Sequence, residues 1–206
     1  MKVLLINGSP NPAGCTNAAL GEIAETLVEC GVEAEIVHIG AGPFYGCTDC
    51  MGCAKTNRCV FDDDCVNSLI EKMEGADGLI VGSPVHYASA TGPVVCVLDR
   101  MFRAGKCYAH KPAAAVAVAR RAGNIPTVDE LCKYFSIRQM PLVSSSYWNV
   151  VYGAVPEDVA KDREGMQTMR NLGRNMAWLL KCIQAGKEQG INPPEYEFGV
   201  RTNFIS

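Results

Sequence analysis

The sequence predicts an α/β domain built on a doubly wound, five-stranded parallel sheet in three layers. Short apolar runs alternate with amphipathic helical stretches along the chain, which is typical of a parallel sheet covered by helices on both faces. With 206 residues and 48% hydrophobic content, the chain is long enough to bury one sizeable core. A cysteine-rich loop interrupts this alternation after the second predicted strand.

The five predicted strands are short and rich in aliphatic or small residues, and they lie at Val3–Asn7, Val32–Ile39, Gly78–Val85, Pro112–Ala119 and Met140–Ser145. Helices are predicted at about 16–30, 64–74, 91–104, 127–136 and 162–185, where apolar residues recur at helical spacing. We predict one domain over residues 1–186, with the cysteine-rich loop at 41–65, and a C-terminal tail at 187–206. The tail aromatics Tyr196 and Phe198 favour packing on a neighbouring subunit over fraying.

Composition and charge exclude several classes of function. The net charge is −3 and no basic stripe is present, so nucleic acid is not an expected partner. The N-terminal run MKVLLING is too short in apolar residues for a signal peptide, and no run of eighteen apolar residues predicts a membrane span. Eleven cysteines suit a reducing compartment, so a cytoplasmic location is expected.

The densest feature is a run of four cysteines, Cys47, Cys50, Cys53 and Cys59, within thirteen residues. Thiols so close in sequence on one loop indicate a shared metal centre in a reducing compartment. Zinc sites usually join two separated ligand pairs, whereas three cysteines at x2 spacing are the pattern of iron–sulfur ligation. The interpretations are therefore a 4Fe–4S cluster, a zinc site, or reactive or buried thiols, and we favour the cluster.

The fourth ligand of such a cluster has two candidates. Ferredoxin-type runs send their last cysteine to a second cluster and follow it with proline, but Val60 follows Cys59 here and no second run exists. Cys65 is the rival, six residues further on. We favour Cys59 because three aspartates, at 62–64, precede Cys65 and suit the N-terminus of the next helix better than the wall of an anionic cluster.

Three loops are expected at the carboxyl edge of the sheet, where doubly wound sheets bind their ligands. The first, Gly8–Asn17, offers the hydroxyls of Ser9 and Thr16, an amide at Asn17, and a helix N-terminus. It has neither a Walker sequence nor a G-x-G-x-x-G fingerprint, so it suits a terminal monophosphate. The alternative is an ordinary loop in which Thr16 or Asn17 caps the helix.

The second and third loops suit a flat ring. In Gly82–Gly92, His86 and Tyr87 are placed to stack beside a ring, while Ser89 and Thr91 are expected to cap the next helix. A single histidine in such a loop is usually structural, so no acid–base role is assigned to it. In Ala119–Asn124, two consecutive arginines are either solvated or face an anionic ring or nucleotide phosphate.

The segments GSPNPAGCTNAAL, CVFDDD and ADGLIVGSPVHYASATGPVVCVLDR, in this order, resemble the flavodoxin-like NADPH-dependent FMN reductase group. Within that group the cysteine loop is most similar to the iron–sulfur flavoproteins, whose compact motif is C-x2-C-x2-C-x4–7-C. The resemblance covers about residues 1–146 and implies a flavodoxin-like fold that binds FMN. Two departures are Asn11, where the group often has a basic residue, and Cys15, where it often has asparagine.

The resemblance also implies the cofactor contacts and the partners. The FMN-binding residues expected from the three loops are Ser9, Asn11, Cys15, Thr16, Asn17, Pro84, Val85, His86, Tyr87, Ala88, Ser89, Ala119, Arg120, Arg121, Gly123 and Asn124. A ferredoxin-type donor or NAD(P)H, a small-molecule acceptor and a homodimer or homotetramer are implied as well. No catalytic residue is assigned.

The leading functional hypothesis is a flavoenzyme that passes electrons between a 4Fe–4S cluster and FMN, and onward to a small acceptor. Three alternatives remain open. They are an NAD(P)H-dependent FMN or quinone reductase without a functional cluster, a non-enzymatic flavodoxin-like carrier, and a zinc-stapled interaction module without flavin.

Overall fold

The computed structural model describes residues 1–197, 199, 200, 202 and 204. Its strands are β1 Lys2–Asn7, β2 Glu33–His38, β3 Gly78–His86, β4 Ser89–Ala90, β5 Ala113–Ala119 and β6 Val150–Tyr152. Its helices are α1 Cys15–Glu29, α2 Val66–Glu74, α3 Gly92–Ala104, α4 Asn124–Ser136, α5 Pro156–Val159 and α6 Arg163–Glu188, with a 3-10 turn at Gly52–Ala54. The predicted α/β class with a parallel central sheet is confirmed.

The parallel strands lie in the order β2-β1-β3-β5-β6, which is the doubly wound order of the flavodoxin fold. The sheet has six strands rather than five, because β4 forms a two-residue antiparallel pairing with the end of β3. The order reverses between β1 and β3, so their carboxyl ends border the crevice where ligands bind in such sheets. The ends of β1, β3 and β5 are neighbours there.

The predicted fifth strand at Met140–Ser145 is wrong in position. Residues 141 and 143 exchange two backbone hydrogen bonds with Ala113 of β5, of 2.8 and 2.9 Å, and form only an isolated bridge. The chain then leaves the sheet, because the Ser145 hydroxyl bonds to Asn149 Oδ1 at 2.7 Å and to the Tyr147 carbonyl at 2.6 Å. Pairing with β5 resumes only at Val150.

Two buried clusters cover the two faces of the sheet and complete the three layers. Along β1, Leu4 and Ile6 face one cluster with α2, α3 and α4, whereas Val3 and Leu5 face the other with α1 and α6. This alternation is the period-two pattern of a strand buried on both faces. The sheet therefore provides a rigid support for the loops at its carboxyl edge.

The cysteine-rich loop runs from β2 to α2, and Tyr45, Cys59 and Phe61 of this loop accept hydrogen bonds from Arg100 of α3. Part of it is partly buried against the core, including Phe44, Cys53 and Cys59. The tail follows α6, which ends at Glu188, two residues beyond the predicted boundary. Tyr196 of the tail lies within 3.7 Å of Cys107 Sγ in the same chain. Phe198 lies outside the described residues, and the division into domain and tail stays a prediction.

Candidate FMN and cluster sites

The loop after β1 is held rigidly to the neighbouring strands. Gly8 N–H donates to the Gly82 carbonyl at 2.8 Å, and the Thr91 hydroxyl donates to the Gly8 carbonyl at 3.0 Å. The Ser9 carbonyl lies 2.7 Å from His38 Nε2, and the Ser9 hydroxyl accepts the backbone N–H of Asn11 at 3.1 Å. These bonds fix the backbone immediately before α1 begins.

The N-terminus of α1 has no side-chain cap. The N-cap residue is Gly14, so the interpretation in which Thr16 or Asn17 caps this helix is wrong. Thr16 is 1% exposed, and its buried hydroxyl has no hydrogen-bond partner among the described residues. Asn17 Oδ1 accepts Asn7 Nδ2 at 3.4 Å. A buried hydroxyl without a partner is costly, so uncapped N–H groups and this hydroxyl form a site prepared for an anion.

Two of the other residues expected in this loop lie at its periphery. Asn11 is exposed, and its side-chain oxygen accepts the N–H of Ala13 at 3.0 Å. Cys15 is half-buried at the first position of α1, and burial raises the pKa of its thiol. Neither side chain is as deeply buried as that of Thr16.

The loop after β3 presents a protruding aromatic side chain. Pro84 and Val85 are half-buried, whereas the next three residues, His86, Tyr87 and Ala88, are exposed. Tyr87 adopts a left-handed backbone conformation with φ of 58°, which is uncommon for a bulky residue and recurs at ligand-binding sites.

One of the two hydroxyl residues that follow differs from its predicted role. Thr91 is the N-cap of α3, as expected, and accepts Val94 N–H at 3.3 Å. Ser89 does not cap that helix, because its hydroxyl donates to the Glu130 carboxylate of α4. The same carboxylate accepts the N–H of Ala90 at 3.3 Å, so α4 fixes this hairpin.

The loop after β5 lies directly against the loop after β3. Gly123 has φ of +91°, and a Cβ built on it would lie 2.6 Å from Val85 Cγ1. Asn124, which begins α4, is 3% exposed, and its amide nitrogen has no partner in the part of the chain that the structure describes. Ala119 is buried, whereas Arg120 and Arg121 are exposed at the rim. The structure thus brings the three predicted loops to one edge and leaves two buried polar atoms there without partners.

A second site lies on the flank of α3. All four cysteines of the run, Cys47, Cys50, Cys53 and Cys59, line one pocket that is partly open to solvent. Its other walls include Phe61, Arg100 and Arg103. The α3 residues that line it, from Arg100 to Ala104, lie eight to twelve residues from Gly92, so the pocket lies about 12–18 Å along the helix axis from its N-terminus.

The loop around this pocket turns sharply. Asp49, Met51 and Asn57 all have left-handed backbone conformations, with φ of 50°, 60° and 54°. In the described part of the chain, no three cysteine, histidine or acidic side chains are arranged to hold a single metal ion. The four thiols therefore share a cavity without converging on one point.

Cys59 is the most firmly fixed of the four. Asn67, which is 3% exposed, accepts Cys59 N–H at 2.8 Å and donates to its carbonyl at 3.0 Å. Arg100 is 1% exposed, and its Nε–H donates to Cys59 Sγ at 3.1 Å. Burial disfavours the charge of Arg100, but hydrogen bonds to Asp64 and Cys59 raise its pKa overall.

Comparison with known proteins identifies the family. The family model described as NADPH-dependent FMN reductase matches residues 1–154, three-quarters of the chain. The chain belongs to the NADPH-dependent FMN reductase family. FMN is the cofactor of this family, and its members are flavin-dependent oxidoreductases.

The chain is also similar to curated proteins in sequence and to a solved structure in fold. The chain is 32% identical to an iron–sulfur flavoprotein of Methanocaldococcus jannaschii, over 89% of this chain and all of that protein. It is 28% identical to an iron–sulfur flavoprotein of Methanosarcina thermophila, over 92% of this chain and all of that protein. A flavodoxin from the domain Archaea superposes with a TM-score of 0.59 at 14% identity, covering 88% of this chain and 99% of that one.

As a member of the FMN reductase family, the chain has the flavodoxin-like fold expected from its three loops. The resemblance inferred from the sequence is therefore confirmed. No helix in the described residues combines the length and apolarity needed to cross a membrane. The individual FMN contacts and cysteine ligands stay predictions.

Cys65 does not line the pocket that the other four cysteines share. It is the N-cap residue of α2, not a residue of its first turn as expected, and it packs against the core. Burial, and secondarily the Asp64 charge, raise the pKa of its thiol to about 11. The geometry favours Cys59 as the fourth ligand.

Sequence reasoning missed Arg100 and Asn67, the two side chains that fix Cys59. Each lies on a predicted helix, where a single polar residue normally faces solvent. One signal was available for Arg100: it is three residues after Val97 and four before Ala104, both of which are buried. That spacing places its side chain beside the apolar stripe of α3.

Proposed function

We propose that the protein is an FMN-dependent electron-transfer oxidoreductase in which Cys47, Cys50, Cys53 and Cys59 ligate one 4Fe–4S cluster. The observation that carries the proposal is that all four thiols of the run line one pocket in a chain of the FMN reductase family. The names of the two curated relatives support the same cofactor pair.

The arrangement of the thiols fits a cluster better than zinc. A zinc site places four sulfurs about 2.3 Å from one common centre, and the described residues contain no such convergence. A cubane cluster bonds each cysteine to a different iron atom, so its ligands surround a group of atoms. Four thiols around a shared cavity match that requirement.

The residues at the sheet edge fit FMN. The Thr16 hydroxyl and the N–H groups at the start of α1 would bind the phosphate, and the loops around Val85 and Gly123 would flank the ring. Asn124 Nδ2 is buried without a partner at the same edge, so a ring carbonyl or nitrogen of the flavin would satisfy it. When bound, the flavin supplies one- and two-electron chemistry and the cluster supplies single-electron transfer.

Steady-state assays test the proposed function. The purified protein, with FMN and iron quantified, is assayed anaerobically with NADH, NADPH or a reduced ferredoxin as donor, and then exposed to oxygen or peroxide. We expect turnover with the ferredoxin that is lost in Cys59→Ser, with FMN content unchanged. Equal turnover in wild type and Cys59→Ser would contradict the role of the cluster.

A second candidate is an NAD(P)H-dependent FMN or quinone reductase whose cysteine loop has no redox role. It is favoured by the exposed guanidiniums of Arg120 and Arg121, which lie at the rim of the ring site and suit a nucleotide phosphate. This candidate would be supported if Arg120→Ala and Arg121→Ala slowed NAD(P)H oxidation and Cys59→Ser did not. Reduction without turnover on any acceptor would indicate a carrier.

The separation of the two sites supports a homodimer or homotetramer. The cysteine pocket lies on the flank of α3, about 12–18 Å along its axis from the end that borders the FMN site. A neighbouring subunit would bring a cluster and a flavin closer together. Of the aromatic side chains in the cysteine-rich loop, Phe44 packs partly against the core of its own chain, whereas Tyr45 is 60% exposed and available to an interface.

The oligomer is tested by light scattering on protein loaded with FMN and iron. We expect two or four times the 22.2 kDa chain mass, and a monomer at micromolar concentration would contradict it. The proposed cytoplasmic location rests on the eleven cysteines, all within the described part of the chain and all free thiols.

A further inference from the structure

Arg100 is a buried cation whose hydrogen-bonding capacity is fully used. A guanidinium carries five N–H donors in a planar fork. Nε–H donates to Cys59 Sγ at 3.1 Å; Nη1 donates to Asp64 Oδ2 and to the Tyr45 carbonyl at 3.4 Å. Nη2 donates to the Phe61 carbonyl at 3.0 Å and to Asp64 Oδ1 at 3.3 Å. All five donors therefore have acceptors, and one acceptor is a thiol.

The other acceptors explain why the side chain is fixed. The Asp64 side chain is 11% exposed and pairs with Arg100 through both oxygens. Its Oδ1 also accepts Val66 N–H at 3.0 Å, at the start of α2. The cation thus links the cysteine-rich loop to α2 and α3 and is almost neutralised by one carboxylate. Its Nε–H remains directed at sulfur.

We propose that Arg100 is a positioning residue for the cluster: it fixes Cys59 and raises the reduction potential through a charged N–H···S hydrogen bond. This inference rests on the proposed function, because it requires Cys59 to be a ligand. Hydrogen bonds from a charged donor are about twice as strong as neutral ones. The potentials of iron–sulfur clusters depend on hydrogen bonds to their sulfurs and on nearby charge.

The sign of the effect follows from electrostatics. Reduction adds a negative charge to the cluster, so a buried cation that donates to a ligand sulfur stabilises the reduced state. Asp64 has the opposite influence, because its carboxylate offsets the charge of Arg100. Removing Arg100 should lower the potential, whereas neutralising Asp64 should raise it. A purely structural role would not give shifts of opposite sign.

Arg103 provides a matched control on the same helix and in the same pocket. Its side chain is 47% exposed and donates to Asp49 Oδ1 at 2.9 Å and to Met51 Sδ at 2.8 Å, not to a thiol. Solvent screens this charge. Arg103→Met should therefore shift the potential by less than half as much as Arg100→Met.

The experiment is a redox titration of the cluster, monitored by electron paramagnetic resonance, in wild type, Arg100→Met, Asp64→Asn and Arg103→Met. We expect the cluster in Arg100→Met to bind its electron at least tenfold less tightly than in wild type. For a one-electron couple this corresponds to a reduction potential that is lower by about 59 mV. We expect an upward shift in Asp64→Asn. Equal potentials in wild type and Arg100→Met would overturn the proposal. So would shifts of the same sign in Arg100→Met and Asp64→Asn.

A double variant that leaves no unpaired buried charge allows the test to be made even if Arg100→Met alone does not fold. Arg100→Met alone leaves the Asp64 carboxylate buried without its partner, which is strongly destabilising. In Arg100→Met combined with Asp64→Asn no unpaired charge remains, and we still expect a lower potential because the N–H···S bond is lost. An unchanged potential in that variant would overturn the proposal. If the purified wild-type protein contained no iron and sulfide, the proposed function would instead be refuted.

Discussion

Removing the buried hydroxyl of Thr16 should have two opposite effects: it should stabilise the apoprotein and weaken its binding of FMN. This hydroxyl is buried and has no hydrogen-bond partner among the described residues. Thr16→Val keeps the shape of the side chain and removes the unsatisfied oxygen, so the apoprotein should gain about 1 kcal/mol of unfolding free energy. The same change removes a donor to the phosphate. A hydrogen bond to a charged group contributes about 1.5–3 kcal/mol, so FMN should bind roughly tenfold to a hundredfold more weakly.

Thr26 provides the control, because it lies on the same helix and is also buried, at 3% exposure. Its hydroxyl already donates to the Glu22 carbonyl at 2.8 Å. Thr26→Val should give no gain in apoprotein stability and no loss of FMN affinity. The assays are denaturant unfolding of the apoprotein and titration of FMN fluorescence. Unchanged FMN affinity in Thr16→Val would refute the assignment of the phosphate site.

Two further predictions concern the ligands and the ring loops. Iron and sulfide, measured anaerobically, should be lost in Cys59→Ser and retained in Cys65→Ser, because only the first thiol lines the pocket; the reverse pattern would exchange the two assignments. Gly123→Ala should weaken FMN binding more than Gly31→Ala, since both glycines have positive φ but only a Cβ at 123 would meet Val85. Equal FMN affinities in these two alanine variants would mean that the contact does not shape the ring site.

The sheet and its ligand edge were predictable because the signals are local. Apolar runs such as Val3–Asn7 mark buried strands, and parallel strands place their carboxyl ends at one edge. The last strand was not predictable in the same way. Val150–Tyr152 is only three residues long, and it forms because β5 offers its free edge there. The apolar run around Leu142 is the stronger local signal, but serines and their hydrogen bonds divert the chain after it.

The cysteine run was predictable as a common site from local sequence, whereas the residues that fix Cys59 were not. Four cysteines at short spacing predict a common site without knowledge of the fold. The burial of Arg100 depends on a loop that folds back across α3, so residues 36 and 41 positions away supply its partners Asp64 and Cys59. Such long-range contacts leave almost no trace in local sequence patterns. The unpaired oxygen of Thr16 is likewise visible only in three dimensions.

An anaerobic reductive titration that counts electrons per chain tests the central claim most directly. FMN accepts two electrons and a 4Fe–4S cluster accepts one, so protein loaded with both should take up about three electrons per chain. Flavin bleaching and the appearance of the paramagnetic signal of a reduced cluster should together account for them. Uptake of about two electrons, with bleaching of the flavin alone in protein that contains a full complement of iron and sulfide, would contradict the account.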